Sequence, residues 1–384
     1  MRNVILLGIT SFLTDVSSEM IYPLVPLFLT TTLGATPLVL GFIEGVAESV
    51  ASLLKVFSGA LSDRLQQRKP LAIIGYSFSA IGKVLLYLAK SWGVVFCGRV
   101  ADRIGKGIRT APRDALISDS SAKDVRGKVY GLHRAMDTCG AVSGIVLAYL
   151  LMSSLKHKEE YRLVFILALI PAVLGVAVLF FTEEKIKKET SKIDYYRGLY
   201  SSWGSLDRKL KHFLVISFIF TFGNSSNMFI LLRAKNVGFS SEKVILLYLL
   251  YNIIYAIVSY PAGVISDKVG KKSIIVFGYF LYSAVYLLLG IVGNSTSWLM
   301  WFAFGLYGVY MGLTEGVEKA YISVLSPVEK RATILGLHST LVGIGLFPAS
   351  LIAGFLWSRV CPSAPFFFSS LVTVIAAIGF LVYI

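Results

Sequence analysis

About twelve apolar stretches, each close to the length a helix needs to cross a hydrocarbon core, are separated by short polar breaks along this chain. They run near residues 4–30, 38–61, 71–89, 92–117, 129–152 and 163–181, then near 213–232, 244–264, 273–292, 298–323, 332–357 and 364–384. Almost no length remains for a soluble domain. The expected fold is therefore an all-α integral membrane protein of twelve transmembrane helices. Composition agrees: 15% of residues are charged and 55% hydrophobic, where soluble domains carry roughly 25% charge.

The net charge of +15 would suit nucleic acid if it were contiguous, but the cations fall in alternate loops. One side collects Arg64, Arg68 and Lys69, then Lys123, Arg126 and Lys128, a basic central stretch, Lys268, Lys271 and Lys272, and finally Lys330 and Arg331. The other has chiefly Lys90, Lys156, Lys158, Arg162, Lys235, Lys243 and Arg359. With an even number of spans, this places both termini in the cytoplasm, excludes nucleic acid as a partner, and makes the bilayer of the cytoplasmic membrane the surrounding solvent. The start, Met1-Arg2-Asn3, reads as the beginning of the first span rather than a cleaved leader. Cys97, Cys139 and Cys361 show neither a disulfide framework nor metal-ligand spacing, the four histidines add none, and no P-loop is present. No cofactor or metal is expected.

The chain repeats itself. GALSDRLQQRK at 59–69 returns as GVISDKVGKK at 263–272, and GLH at 131–133 returns at 336–338, the two offsets differing by a single residue. Ser17-Ser18-Glu19-Met20 likewise answers Ser225-Ser226-Asn227-Met228. The division is into a six-helix half at 1–181, a linker at 182–211 and a second six-helix half at 212–384. Tyr195, Tyr196, Tyr200 and Trp203 suit the linker to a cytoplasmic interface. Parallel halves relate by an axis along the membrane normal, and a cavity between them can open alternately to each face.

The repeated loop resembles the signature G-x-L-x-D-R-x-G-R-K of the major facilitator superfamily, with Gln66 replacing the second glycine in the first copy. The resemblance implies two pseudo-symmetric six-helix bundles and secondary active transport. It also implies a gating latch at Gly59, Asp63 and Arg64 and at Gly263, Asp267 and Lys268, where small residues let helices approach and the aspartate meets a helix N-terminus or a cation. Gly131, Gly140 and Gly144 reproduce the glycine spacing of the fifth-span signature of the superfamily's antiporters, with Ile145 replacing its proline; glycine packing alone also explains that spacing.

Ionisable residues inside spans need partners, water or a task. Asp15 and Glu19 share one helix face, as do Glu44 and Glu48. Glu48 and Glu19 are the first choices for proton coupling, followed by Asp15, with Glu44 nearer the outer surface. The fourth span carries Arg99, Asp102, Arg103, Lys106 and Arg109 before Arg113 and Asp114. Arg103 and Lys106 would serve as counter-charges or anchor an anionic substrate. The others, with Arg134, suit a fixed ion-pair network, and Arg134 and Asp137 are spaced to pair within the fifth span. The second half offers Asn224, Asn227, Tyr248, Tyr251, Asn252, Tyr255 and Glu315, milder groups matched to selectivity. Glu318 and Lys319 match Arg113 and Asp114 with reversed signs, which fits salt bridges between the halves. His133 and His338 occupy equivalent places and read as structural.

The reading is a non-enzymatic, monomeric, proton-coupled secondary transporter of a small organic solute. Export of a cationic or amphiphilic compound comes first, although the basic fourth span would equally serve uptake of an organic anion. Lipid flipping is a further alternative. A membrane enzyme lacks a nucleophile or metal constellation, and the carboxylates argue against a receptor that transports nothing.

Overall fold

The computed structural model describes residues 2–65, 67–121, 126–154, 161–184, 206–327 and 331–384, with Asp63, 126–128 and 331–333 described in backbone only. The linker aromatics, the Asp63 side chain and the loop charges Lys123, Asp124, Glu329 and Lys330 thus lie outside the described residues.

The helices are α1 (Arg2–Ile21), α2 (Pro37–Leu65), α3 (Arg68–Leu88), α4 (Trp92–Asp119), α5 (Arg126–Ser154), α6 (Tyr161–Leu167), α7 (Leu169–Phe180), α8 (Arg208–Gly223), α9 (Met228–Asn236), α10 (Ser241–Val269), α11 (Lys271–Ile291), α12 (Leu299–Leu325), α13 (Arg331–Arg359) and α14 (Ala364–Tyr383). Among the described residues, ten helical stretches are long and apolar enough to cross a membrane. The other two expected spans form long helices, α4 and α12, that fall short for physical reasons: α4 carries too many charges, and α12 spends its length on Tyr, Gly and Trp.

Two compact units emerge, one of Met1–Ala35 with Val46–Ser191 and one of Thr36–Gly45 with Lys192–Ile384. The first turns of α2 thus group with the second unit, through close backbone contacts made at glycine. A Cβ on Gly41 would lie 2.2 Å from the Ser350 carbonyl oxygen, and one on Gly354 would lie 2.5 Å from that of Pro37. The same helix pairings recur inside each unit: α1 with α5 and α8 with α13, α1 with α7 and α8 with α14, α3 with α4 and α11 with α12, and α3 with α7 and α11 with α14. The repeat read in the sequence is a repeat of packing.

Small residues make the tight seams. In the first unit α3 and α4 meet backbone to backbone, Gly75 over Gly105 and Gly82 over Gly98. Gly140 and Gly144 of α5 lie under the Phe12 and Val16 carbonyls of α1, whereas Gly131 meets nothing within 4 Å. Two of the three fifth-span glycines therefore serve helix packing. A Cβ on Gly59 would lie 3.3 Å from the Ala111 Cβ, but one on Gly263 would meet nothing within 4 Å. The close approach expected at the second loop copy is absent there. Its conformational glycine is instead Gly270, whose φ of 99° makes the turn between α10 and α11.

Breaks in the helices are satisfied locally, as a membrane requires. The first span interrupts at Pro23 and resumes as a turn at Val25–Leu27 and a π-helical turn at Phe28–Thr32. Beside the α6–α7 break, Ser17 donates to the Ala168 carbonyl at 2.5 Å. The seventh span opens between α8 and α9, where Tyr282 donates to the Gly223 carbonyl at 2.8 Å and Tyr307 to Asn227 Oδ1 at 2.6 Å.

Candidate functional site

The site grows from the α3–α4 seam. Glycines hold these helices so close that Lys83 of α3 reaches Asp102 of α4, its Nζ lying 3.5 Å from Oδ1. Asp102 is also 3.8 Å from Arg99 Nη1 and 3.7 Å from Arg103 Nε. Arg103 Nε lies 3.4 Å from Glu48 Oε1, which ties α2 into the same network. Lys83 donates further to the Ser79 carbonyl at 3.2 Å. Arg109 donates to the Ser79 hydroxyl, and its guanidinium stands 4.7 Å from the centre of the Tyr76 ring. Arg99, Asp102, Arg103 and Arg109 are all buried, so α4 turns its charged stripe inward.

Lys83, Arg99, Asp102, Arg103 and Arg109 line an open cavity within the first unit, walled by α1, α3 and α4. Its carboxylates are Asp15, Glu19 and Asp102; its cations are Lys83, Arg99, Arg103, Lys106 and Arg109. Cations therefore outnumber acids, five to three. Buried ions need well-placed opposite charges to offset desolvation. Asp102 supplies that to three of the five.

The expected residues divide as follows. Asp15, Glu19, Arg103 and Lys106 meet at the cavity, while Glu48 enters through Arg103. Glu44 is fully buried in the α2 segment that groups with the second unit, apart from this cavity. Asp137 has His133 as a neighbour one turn back, Oδ1 to Nε2 at 3.6 Å. In the second unit, Tyr255 donates to Glu315 at 2.5 Å and Lys319 pairs with the same carboxylate at 3.2 Å. Asn252 donates to the Tyr248 carbonyl, Tyr282 donates to Asn224, and the Tyr251 ring lies tilted against Tyr307 with centroids 5.3 Å apart. Of the gating residues, Arg113 pairs with Asp114 at 2.9 Å and donates to Ser11, and Asp267 pairs with Lys271 at 2.6 Å. Glu318 is half-buried, while Lys268 and Arg64 are exposed. Each of these ion pairs forms within its own unit.

Two important residues escaped the sequence reading. Lys83 is a lone cation in the apolar run Ile81–Leu88, and that isolation was its signal. Arg233, also buried, donates to the carbonyls of Leu289, Gly290 and Val292 and to Ser363, closing the C-terminal end of α11.

Comparison with known proteins agrees with this architecture. The pattern described as Major Facilitator Superfamily matches residues 7–210 and 213–384. An uncharacterised MFS-type transporter of Methanocaldococcus jannaschii is 41% identical over 385 residues, covering 98% of this chain and 94% of that one. The multidrug resistance protein MdtH of Proteus mirabilis is 29% identical over 127 residues, 33% of this chain and 32% of that one. Among solved structures, the nucleoside transporter NupG superposes with a TM-score of 0.82 at 12% identity, over 99% of this chain and 98% of that one, which speaks to fold alone. The chain is a multi-pass membrane protein and belongs to the major facilitator superfamily.

Proposed function

We propose that this protein is a secondary active transporter that carries a small organic solute across the cytoplasmic membrane by alternating access, coupled to protons. The observation that carries the reading is the charged cavity of the first unit, where Asp15 and Glu19 stand among five cations. A half-buried carboxylate can exchange a proton as its surroundings change, and a charged wall gives cargo a place to bind. The cation excess favours an organic anion, moving inward with protons. Export of a cationic or amphiphilic compound is the second reading, supported by the likeness of a third of the chain to a multidrug resistance protein.

The test is flux in proteoliposomes of purified protein with an imposed pH gradient, using benzoate, glycerol 3-phosphate and tetraphenylphosphonium as labelled probes. Gradient-driven movement of at least one probe, abolished by a protonophore and reduced in Asp15→Asn, is expected. Fluxes of all probes equal to protein-free vesicles would overturn the reading.

A further inference from the structure

Three of the cavity's charges stand apart from its ion-pair network. Lys83, Arg99 and Arg103 are within 4 Å of Asp102, and Arg103 also of Glu48. Lys106 and Arg109, one turn apart on α4, have no carboxylate within 4 Å among the described residues, and Asp15 has no cation within that distance. Arg109 donates to the Ser79 hydroxyl and stands over the Tyr76 ring. Lys106 is exposed to the cavity. Yet the three are mutual electrostatic neighbours: Asp15 feels the charges of Arg109, Asp137, Glu19 and Arg113, and Lys106 those of Arg103, Glu48, Arg109 and Asp15. They surround a gap rather than close it.

We infer that an anionic group of the cargo, carboxylate or phosphate, binds in this gap between Lys106 and Arg109, and that Asp15 takes up the proton that accompanies it. The inference rests on the proposed transport function and names the subsite within it. An ionised Asp15 repels a bound anion; a protonated Asp15 removes that repulsion and offers an O–H donor. By linkage, anion binding raises the proton affinity of Asp15 by the factor by which protonation tightens anion binding. One proton passes from water to the Asp15 carboxylate, and no other bond changes. Binding therefore strengthens as pH falls, and cargo and proton travel in the same direction.

The experiment measures ligand binding and proton uptake in weakly buffered, detergent-purified full-length protein. The probes are benzoate, glycerol 3-phosphate, lysophosphatidylglycerol and, as the cationic control, tetraphenylphosphonium. At least one anion is expected to bind with proton uptake. Lys106→Gln and Arg109→Gln each weaken it about tenfold to a hundredfold, the value of a charge-assisted hydrogen bond. Asp15→Asn still binds the anion, without proton uptake and with affinity independent of pH. Lysophosphatidylglycerol binding alone assigns the anion to a lipid headgroup; binding of benzoate or glycerol 3-phosphate assigns it to a soluble cargo. The inference is overturned if no anion binds, if Lys106→Gln leaves anion affinity unchanged, or if Asp15→Asn retains full proton uptake. Lys106 is exposed, so its variant remains informative should Arg109→Gln not fold. Tetraphenylphosphonium binding with proton release would sink this subsite while leaving proton-coupled transport intact, whereas loss of all gradient-driven flux would remove the transport reading itself.

Discussion

Asp102 stands among three cations, two from its own helix and Lys83 from α3. Removing one member of a buried ion pair leaves the other uncompensated, at about 3–5 kcal/mol. Asp102→Asn removes the one carboxylate that three cations share, whereas Lys83→Met removes one cation from an acid that keeps two. Asp102→Asn is therefore expected to lower the thermal midpoint in detergent more than Lys83→Met does. The double variant should lose less than the sum of the two, with a coupling of about 1–3 kcal/mol. Strict additivity would show that the pair does not hold α3 to α4. The ionisable residues of the spans were visible in the sequence as costly exceptions, but their partners were not. Spacing along one helix gives faces, while the match of Lys83 to Asp102 depends on the register between two helices, which no single segment encodes.

That register is set by glycine. A Cβ on Gly105 would fall 2.4 Å from the Gly75 carbonyl oxygen and 2.8 Å from the Ser79 nitrogen, both backbone atoms that cannot turn aside. Gly105→Ala should therefore force α3 from α4, cutting the yield of folded protein and lowering the thermal midpoint by an amount typical of overpacking, about 1–3 kcal/mol. Gly263→Ala, which meets nothing within 4 Å, should leave both unchanged. Size-exclusion profiles and thermal unfolding of the two variants check the contrast; equal losses would mean that the seam is not the constraint. The existence and approximate ends of the spans were legible because apolar length is a property of the segment. The breaks after Ile21 and Gly223 were not, because they depend on proline placement and on tyrosines arriving from α11 and α12. The glycines at 140 and 144 were legible as spacing, and the structure gives that spacing a packing role against α1.

At the scale of the whole molecule, the duplicated pairing of helices and the distribution of loop charge make one joint claim. Six spans per half bring the chain back to the side on which it started, and the lysine- and arginine-rich loops belong on the cytoplasmic side. From a cytoplasmic N-terminus, eleven crossings put the turn between α13 and α14 outside. Cys361 lies in that turn and is exposed, whereas Cys97 and Cys139 lie on α4 and α5. With Cys97→Ser and Cys139→Ser, Cys361 becomes a single reporter of orientation. A membrane-impermeant maleimide is expected to label it in intact cells, to the same extent before and after permeabilisation. Labelling that appears only on permeabilisation would place the turn inside. Such a result would reverse both termini and turn the basic loops outward against the charge bias.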